Sequence, residues 1–145
     1  MPRLQADQVK KIATDLLAGA GAPAVEAKIV ASHSVEANLT GHDSHGIIQI
    51  PSYIDRIEKG HIVPGAPIDI ISDTPTTTVV DGNWGFGYVV TEDVMRRTIE
   101  KARTQNVAAA TVYRQGHVGR VADYPLMAAE EGMINLMTAD SGRAP

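Results

Sequence analysis

The sequence predicts an α/β protein in which an N-terminal helical layer precedes a mixed α/β sheet layer. Apolar residues recur at helical spacing until Gly60. Short runs rich in β-branched residues follow, and they alternate with further helical patterns, which is typical of an α/β layer. We therefore expect residues 1–62 to form a helical N-terminal region. Residues 63–145 are expected to form an α/β region that is the incomplete start of a larger domain.

Three helices are expected in the N-terminal region. The first has its apolar face within residues 9–17 and stops at Gly19. Pro23 suits the first turn of the second helix, whose inward positions are small residues. The third helix is predicted to start near Ile50 and to end at Gly60, a residue that favours the left-handed conformation of a C-terminal cap.

The second region is predicted to contain four strands and two helices. In chain order they are the strands 68–72 and 76–80, the helix 88–104, the strand 107–113, the helix 122–131 and the strand 133–138. The last two strands are near-continuous apolar runs, which is typical of strands buried on both faces. We interpret the glycine-rich segment 81–87 as a tight structural turn rather than a phosphate cradle, because its glycines do not follow the dinucleotide-binding spacing.

Composition and charge exclude several classes of protein. The chain has 145 residues, of which 43% are hydrophobic and 21% charged, with a net charge of −4 and no cysteine. An acidic chain lacks the basic footprint of a nucleic-acid-binding protein, and without cysteine there is no disulfide and no thiolate catalysis. No apolar run approaches membrane-spanning length, and the N-terminus lacks an apolar signal core. We therefore expect a cytoplasmic protein that binds neither nucleic acid nor a membrane.

Two polar loops between glycines are the candidate functional sites. The first, residues 41–46, contains His42, Asp43, Ser44 and His45. The second, residues 114–120, contains His117 and Arg120. Imidazoles titrate near neutral pH and can donate or accept a proton during a reaction. If the two loops converge, their side chains could orient and protonate a small anionic substrate.

The same residue types are compatible with other chemistries. A Ser-His-Asp hydrolase fits the residue types, but no Gly-x-Ser-x-Gly elbow occurs, and Ser44 and His45 are neighbours rather than partners from different segments. A metal site formed by His42, Asp43 and His45 lacks the helical His-x-x-x-His spacing, so we predict no metal site. His33 has no polar cluster around it in the sequence, and we interpret it as a packed or surface histidine.

A set of motifs runs through nearly the whole chain in order. They are GHDSHGIIQIPSY at 41–53, GHIVP at 60–64, VDG at 80–82, GFG at 85–87, and GHVG at 116–119 followed by Tyr124. Together they resemble the malate/L-lactate dehydrogenase family, which includes ureidoglycolate, sulfolactate and diketogulonate dehydrogenases. The resemblance implies a non-Rossmann, homodimeric oxidoreductase that uses NAD or NADP to interconvert 2-hydroxy and 2-keto acids. Members run to more than twice this length, so the resemblance also implies an N-terminal fragment that is inactive by itself.

The resemblance assigns roles to individual residues. His45 and His117 resemble the two histidines of which one handles the proton of the substrate oxygen, and the assignment differs between members. Ser44 resembles a contact to substrate or cofactor, and Ser141 resembles a serine that touches the cofactor. The alternative to an enzyme is a non-catalytic folding or dimerisation module derived from the same family.

Gln49 departs from the family pattern. Many members have an arginine there, which can hold a carboxylate through two parallel hydrogen bonds. Glutamine offers only neutral hydrogen bonds, so we expect the substrate's carboxylate to be held also by another residue, Arg120 or Arg143. This departure bears on the choice of hydroxy acid and not on the class of reaction.

Overall fold

The computed structural model describes residues 4–140, which form five α-helices and a three-stranded sheet. The helices are α1 (Ala6–Gly19), α2 (Ala24–Leu39), α3 (Ile50–Glu58), α4 (Gly87–Gln105) and α5 (Asp123–Glu130), and the strands are β1 (Asp69–Asp73), β2 (Thr77–Gly85) and β3 (Ala109–Gln115). The predicted class, a helical N-terminal layer followed by a mixed sheet layer, is confirmed. None of the helices in the described part of the chain combines the length and apolarity needed to span a bilayer.

The first three helices pack around one apolar cluster. Ala27 and Ala31 of α2 are fully buried, and such small side chains allow α1 to approach closely. Leu17 of α1 and Ile50 of α3 fill the same cluster. Pro51 is accommodated because it lies in the first turn of α3, where a backbone N–H has no helical partner.

The sheet has the order β1-β2-β3. Strand β1 pairs antiparallel with β2, and β2 pairs parallel with β3. Parallel neighbours need a crossover connection, which α4 provides. Val90 and Val94 of α4 pack on Val80 of β2, so one face of the sheet is buried under this helix.

Strand β2 continues into the segment that was predicted to be a turn. The pairing between β2 and β3 is irregular between Asp81 and Gly85, and Asn83 and Trp84 have positive φ angles of 47° and 61°. The Asp81 carboxylate accepts a hydrogen bond from the Asn83 N–H at 2.9 Å, which stabilises this kink. The segment is therefore a distorted strand end that leads directly into α4.

The two predicted strands that were expected to be buried on both faces differ from the structure. Residues 133–138 have no regular secondary structure, and Ile134 and Leu136 are 103% and 91% exposed. An apolar run becomes a strand only where a neighbouring strand satisfies its backbone, and within residues 4–140 no strand pairs with this run. Strand β3 does form, but it is an edge of the described sheet, and its residues alternate between exposed and half-buried.

The loop after β3 lies directly against the start of α4. The Gly116 N–H donates to the carbonyl of Gly85 at 2.8 Å. A Cβ atom on Gly87 would lie 2.5 Å from the carbonyl oxygen of His117, which is closer than any real contact. Glycine is therefore required at position 87 so that two backbones can touch. The space that a side chain would need at this glycine is filled by the chain's own carbonyl groups.

We expect Gly87→Ala to lower the free energy of unfolding by about 3 kcal/mol, the upper range for inserting a methyl group into a packed site. The clashing atoms belong to backbone and cannot rotate away. Urea denaturation followed by circular dichroism measures the change. The matched control is Gly19→Ala at the end of α1, where a Cβ meets no atom within 4 Å. An equal effect of both substitutions on stability would contradict the close-approach explanation.

Candidate active site

The structure brings the two predicted histidines together. The imidazole rings of His45 and His117 stack with their centroids 5.4 Å apart and their planes inclined by 26°. His45 ends a short 3₁₀ helix, Asp43–His45, and His117 lies in the loop between β3 and α5. The two polar loops therefore converge on one place, although they come from different layers of the fold.

The loop of His45 is anchored to α2 by Asn38. The side-chain oxygen Oδ1 of Asn38 accepts a hydrogen bond from the Ile47 N–H at 2.8 Å, and the side-chain nitrogen Nδ2 donates to the Asp43 carboxylate at 2.5 Å. Gly46 lies directly beneath this amide, and a Cβ there would overlap the Asn38 side chain. The polar loop is thus a fixed turn, because each side of the Asn38 amide is bonded to it.

Ser44 and Gln49 are both in contact with this turn. The Ser44 hydroxyl lies 2.9 Å from Nδ1 of His45, so the two neighbours do interact, contrary to the reason given against a serine hydrolase. The Gln49 amide donates to the Ser44 carbonyl oxygen at 2.8 Å. The Asp43 carboxylate, however, is bonded to Asn38 rather than to His45. A Ser-His-Asp relay is therefore not assembled from these residues.

The loop of His117 is held by its glycines and by Tyr88. Gly119 has a φ of +71°, and a Cβ atom there would lie 2.5 Å from the Tyr88 hydroxyl oxygen. Both features require glycine. Together with the contact at Gly87, this packing presses the loop against the first turn of α4. Sequence motifs singled out these glycines, and the structure gives their physical reason.

Two buried tyrosines connect the histidines. The Tyr53 hydroxyl lies 2.8 Å from Nδ1 of His117 and 3.0 Å from the Tyr88 hydroxyl. The Tyr88 hydroxyl in turn lies 3.4 Å from the carbonyl oxygen of His45. The helical periodicity of α3 places Tyr53 on its buried face but does not reveal this role. The available signal is that a buried tyrosine hydroxyl usually has a hydrogen-bond partner.

The direction of this hydrogen-bond chain assigns the tautomer of His117. A carbonyl oxygen can only accept, so the Tyr88 hydroxyl donates to His45. Tyr53 then donates to Tyr88 and accepts from the Nδ1–H of His117. This leaves Nε2 of the neutral imidazole unprotonated and able to accept a proton.

The environment of His117 favours its neutral form. Burial lowers the pKa of His117, and the positive charges of His45 and Arg56 lower it further. Burial also raises the pKa of Tyr53, so its hydroxyl keeps its proton at neutral pH. Protonation of both histidines at once is disfavoured because their charges repel at this separation.

Arg120 lies in a second polar cluster. Its guanidinium pairs with the Asp123 carboxylate at 2.5 Å, and Asp123 also contacts His33, whose other ring nitrogen contacts Glu92. His33 is packed, as expected, but the expectation that it has no polar cluster is wrong. Its partners come from α4 and α5, 59 and 90 residues further along the chain, and no local pattern reveals them.

Ser141, the predicted cofactor contact, lies outside the described residues, as does Arg143. Within residues 4–140, no group of three or more histidine and carboxylate side chains has an arrangement that could hold a metal ion. The site described by the structure thus consists of His45 and His117 with the supporting side chains of Ser44, Gln49, Tyr53 and Tyr88.

Comparison with known proteins identifies the family. The model of the malate/L-lactate dehydrogenase family matches residues 4–144. This chain belongs to that family. The resemblance carried by the glycine and histidine motifs is thereby confirmed.

Individual members of the malate/L-lactate dehydrogenase family agree in sequence and structure. Malate dehydrogenase of Pyrococcus abyssi is 37% identical over 96% of this chain and 38% of its own length. L-sulfolactate dehydrogenase of Methanocaldococcus jannaschii is 35% identical over 92% of this chain and 39% of its own length. The structure of malate dehydrogenase from Pyrococcus horikoshii OT3 superposes with a TM-score of 0.87 at 34% identity, covering 90% of this chain and 38% of that one. The chain spans about two fifths of the length of these family members.

We expect long-range ¹H–¹⁵N correlation spectra to show His117 as the Nδ1–H tautomer above its pKa. Tyr53→Phe removes the acceptor of that proton, so the ring should become a mixture of tautomers. Tyr113→Phe, at an exposed tyrosine on β3, is the matched control and should leave the spectrum of His117 unchanged. An Nε2–H tautomer in the unmodified protein would contradict the assigned direction of the chain.

Proposed function

We propose that this chain supplies the acid–base part of the active site of an NAD- or NADP-dependent dehydrogenase that interconverts a 2-hydroxy acid and a 2-keto acid. The proposal rests on one observation above all, the stacking of His45 on His117 in a chain of this family. A module that served only folding or dimerisation would not need two imidazoles in contact beside a buried tyrosine pair.

The chemistry requires one proton at the substrate oxygen. Reduction of a keto acid adds hydride to carbon and a proton to oxygen, and oxidation removes both. A histidine pair that disfavours double protonation can hold one proton and release it in one direction, then accept it in the other. His117, with a lowered pKa and a free Nε2, suits the proton acceptor in the oxidation of the hydroxy acid. In the reverse direction the same protonated ring of His117 returns that proton to the keto oxygen, and His45, stacked on it, is the partner with which the proton can be shared.

The nicotinamide cofactor supplies or accepts the hydride when it is bound. The described residues fit the acid–base part of such a site better than the dinucleotide part. The carbonyl groups of Gly116 and His117 occupy the space beside Gly87, and the Gly85 carbonyl is bonded to the Gly116 N–H, so this segment is taken up by contacts within the chain. We therefore assign to the described residues the handling of the proton only. The choice between NAD and NADP, and the contact at Ser141, remain predictions.

The substrate is proposed to be a small hydroxy acid. Relatives are named for malate and for L-sulfolactate, which both carry a second negative group besides the carboxylate beside the hydroxyl. We propose Ser44, Gln49 and Arg120 as the residues that bind the acid. The Nε–H of Arg120 is buried and has no hydrogen-bond partner within residues 4–140. The guanidinium also pairs with Asp123, so a substrate carboxylate would share Arg120 with that residue.

Homodimer formation in the cytoplasm is part of the same proposal. Exposed apolar side chains such as Ile134 and Leu136 favour association with further protein surface. Because the chain spans about two fifths of its relatives' length, we also propose that these 145 residues alone show no turnover. On this proposal, turnover is measured in a longer protein that includes these 145 residues.

We expect His45→Ala and His117→Ala each to reduce turnover by about 100-fold or more, the usual contribution of a general acid–base group. The rate of hydroxy-acid oxidation should fall as the pH drops through the lowered pKa of His117, because the protonated ring cannot accept a proton. Steady-state kinetics with malate and sulfolactate, using both nicotinamide cofactors, measures these effects. His42→Ala, at an exposed histidine of the same loop, is the matched control. Retention of more than half the turnover by both active-site variants would refute the acid–base role.

We expect Gln49→Arg to tighten the binding of dicarboxylate substrates by roughly tenfold, because a charge-assisted pair exceeds a neutral hydrogen bond by about 1–2 kcal/mol. Michaelis constants across a panel of 2-keto acids would show the change. Gln49→Met removes the bond to the Ser44 carbonyl without adding charge, and it separates that loss from the effect of charge. Identical Michaelis constants for all three proteins would mean that position 49 does not contact the substrate.

A further inference from the structure

His33 lies between two carboxylates from different helices. Its Nε2 is 3.1 Å from Glu92 of α4, and its Nδ1 is 3.0 Å from Asp123 at the start of α5. The imidazole is only 15% exposed, and Asp123 is 8% exposed. The rings of Tyr88 and Tyr124 lie on it with centroid distances of 5.4 Å and 5.7 Å. His33 on α2 is therefore hydrogen-bonded to both α4 and α5, and it lies against two tyrosine rings.

The geometry requires both ring nitrogens of His33 to donate. An ionised carboxylate only accepts hydrogen bonds, and a neutral imidazole has a single N–H. Glu92 is ionised, since the hydrogen bond from His33 outweighs burial and lowers the pKa of Glu92 to about 2. Burial lowers the pKa of His33, but hydrogen bonds to Glu92 and Asp123 and their charges outweigh burial and raise it. Two donated bonds and two anions together indicate an imidazolium ion.

We propose that the imidazolium of His33 is a positioning group that bridges Glu92 and Asp123 and thereby holds the loop of His117 against α4. Its connection to activity rests on the function proposed above. Its protonation state and its effect on the loop do not.

The connection from His33 to His117 runs through two paths. His33 with Glu92 and Asp123 is called the clamp. Asp123 pairs with the Arg120 side chain, and its backbone N–H donates to the Arg120 carbonyl at 3.1 Å, so the end of the His117 loop is fixed to the clamp. On the other side, Tyr88 packs on His33 and also lies 3.0 Å from the Tyr53 hydroxyl that contacts His117. Loss of the charge on His33 would loosen Asp123 and change the packing of Tyr88.

The charges around His33 determine how it responds to pH. Glu92 and Asp123 face it directly, while Arg96 and Arg120 neutralise part of those two carboxylates from outside. Because the pKa of folded His33 is raised, the clamp is complete below about pH 6.5, the ordinary value for histidine. It weakens as the pH rises through the raised value.

The first test is the protonation state of His33 in the 145-residue chain. At about pH 6.5 an unperturbed imidazole, with a pKa of about 6.5, is half neutral. Long-range ¹H–¹⁵N correlation spectra should instead show both nitrogens of His33 protonated in most molecules. A mostly neutral ring with a single tautomer at this pH would overturn the proposal without any bearing on the proposed dehydrogenase function.

The second test follows the Hε1 resonances of His33 and His117 between pH 5 and pH 9.5. We expect His117 to show an additional inflection at the pH at which His33 titrates, and we expect His33→Gln to abolish it. Glu92→Gln keeps the imidazole and its bond to Asp123, and it is the variant to titrate if His33→Gln does not fold. Loss of the Glu92 charge should weaken proton binding by His33 about tenfold. The inflection of His33 and the additional inflection of His117 should then move together. His61→Gln, at an exposed histidine, is the control that should change neither.

An unchanged titration of His117 when that of His33 is removed or shifted would show that the clamp has no influence on the loop. It would reduce His33 to a structural ion pair and overturn its positioning role. A purely structural role would lower stability in these variants but would not couple the two titrations.

Discussion

The burial of Tyr88 determines how the two layers of this chain meet. Its side chain is 1% exposed, at the first turn of α4, and it belongs to the apolar cluster of the N-terminal helices. Its ring packs against His33, Tyr53 and His117, and its hydroxyl reaches the carbonyl of His45. Gly119 has to be a glycine because this ring occupies the space of its Cβ. One aromatic residue thus sets the distance between the two polar loops, and the histidine pair follows from it.

Two histidines on either side of Tyr88 have opposite electrostatic environments. His33 lies between carboxylates, which raise its pKa although burial acts in the other direction. His117 is comparably packed but faces a tyrosine hydroxyl and the positive influence of His45 and Arg56, and its pKa is lowered. The residue type alone therefore does not decide the charge of a buried imidazole. The charge is decided by the neighbours that α4, α5 and the loops place around the imidazole.

Local patterns predicted those parts of the molecule that local interactions determine. Helical periodicity with glycine and proline punctuation located all five helices to within a few residues, and the glycine-flanked loops located His45 and His117. The run 133–138 was predicted wrongly because an apolar pattern records burial preference and not whether a pairing strand is present. Long-range partners were missed altogether, as the bonds from His33 to Glu92 and Asp123 show. The local sequence does not indicate which distant carboxylates will surround a histidine.

The charges near the histidine pair suggest how an anionic substrate would act on the site. Arg120 has to share its guanidinium with Asp123. The pKa of His117 is lowered chiefly by burial, and His45 and Arg56 of α3 add to this effect. A carboxylate bound beside His117 would oppose the influence of Arg56 and His45, because a nearby negative charge stabilises the protonated imidazole. On the proposed function, keto-acid binding would itself raise the pKa of His117 and favour the proton that reduction consumes. Departure of the product would lower the pKa again, so the same residues that hold the acid would also time the proton transfer.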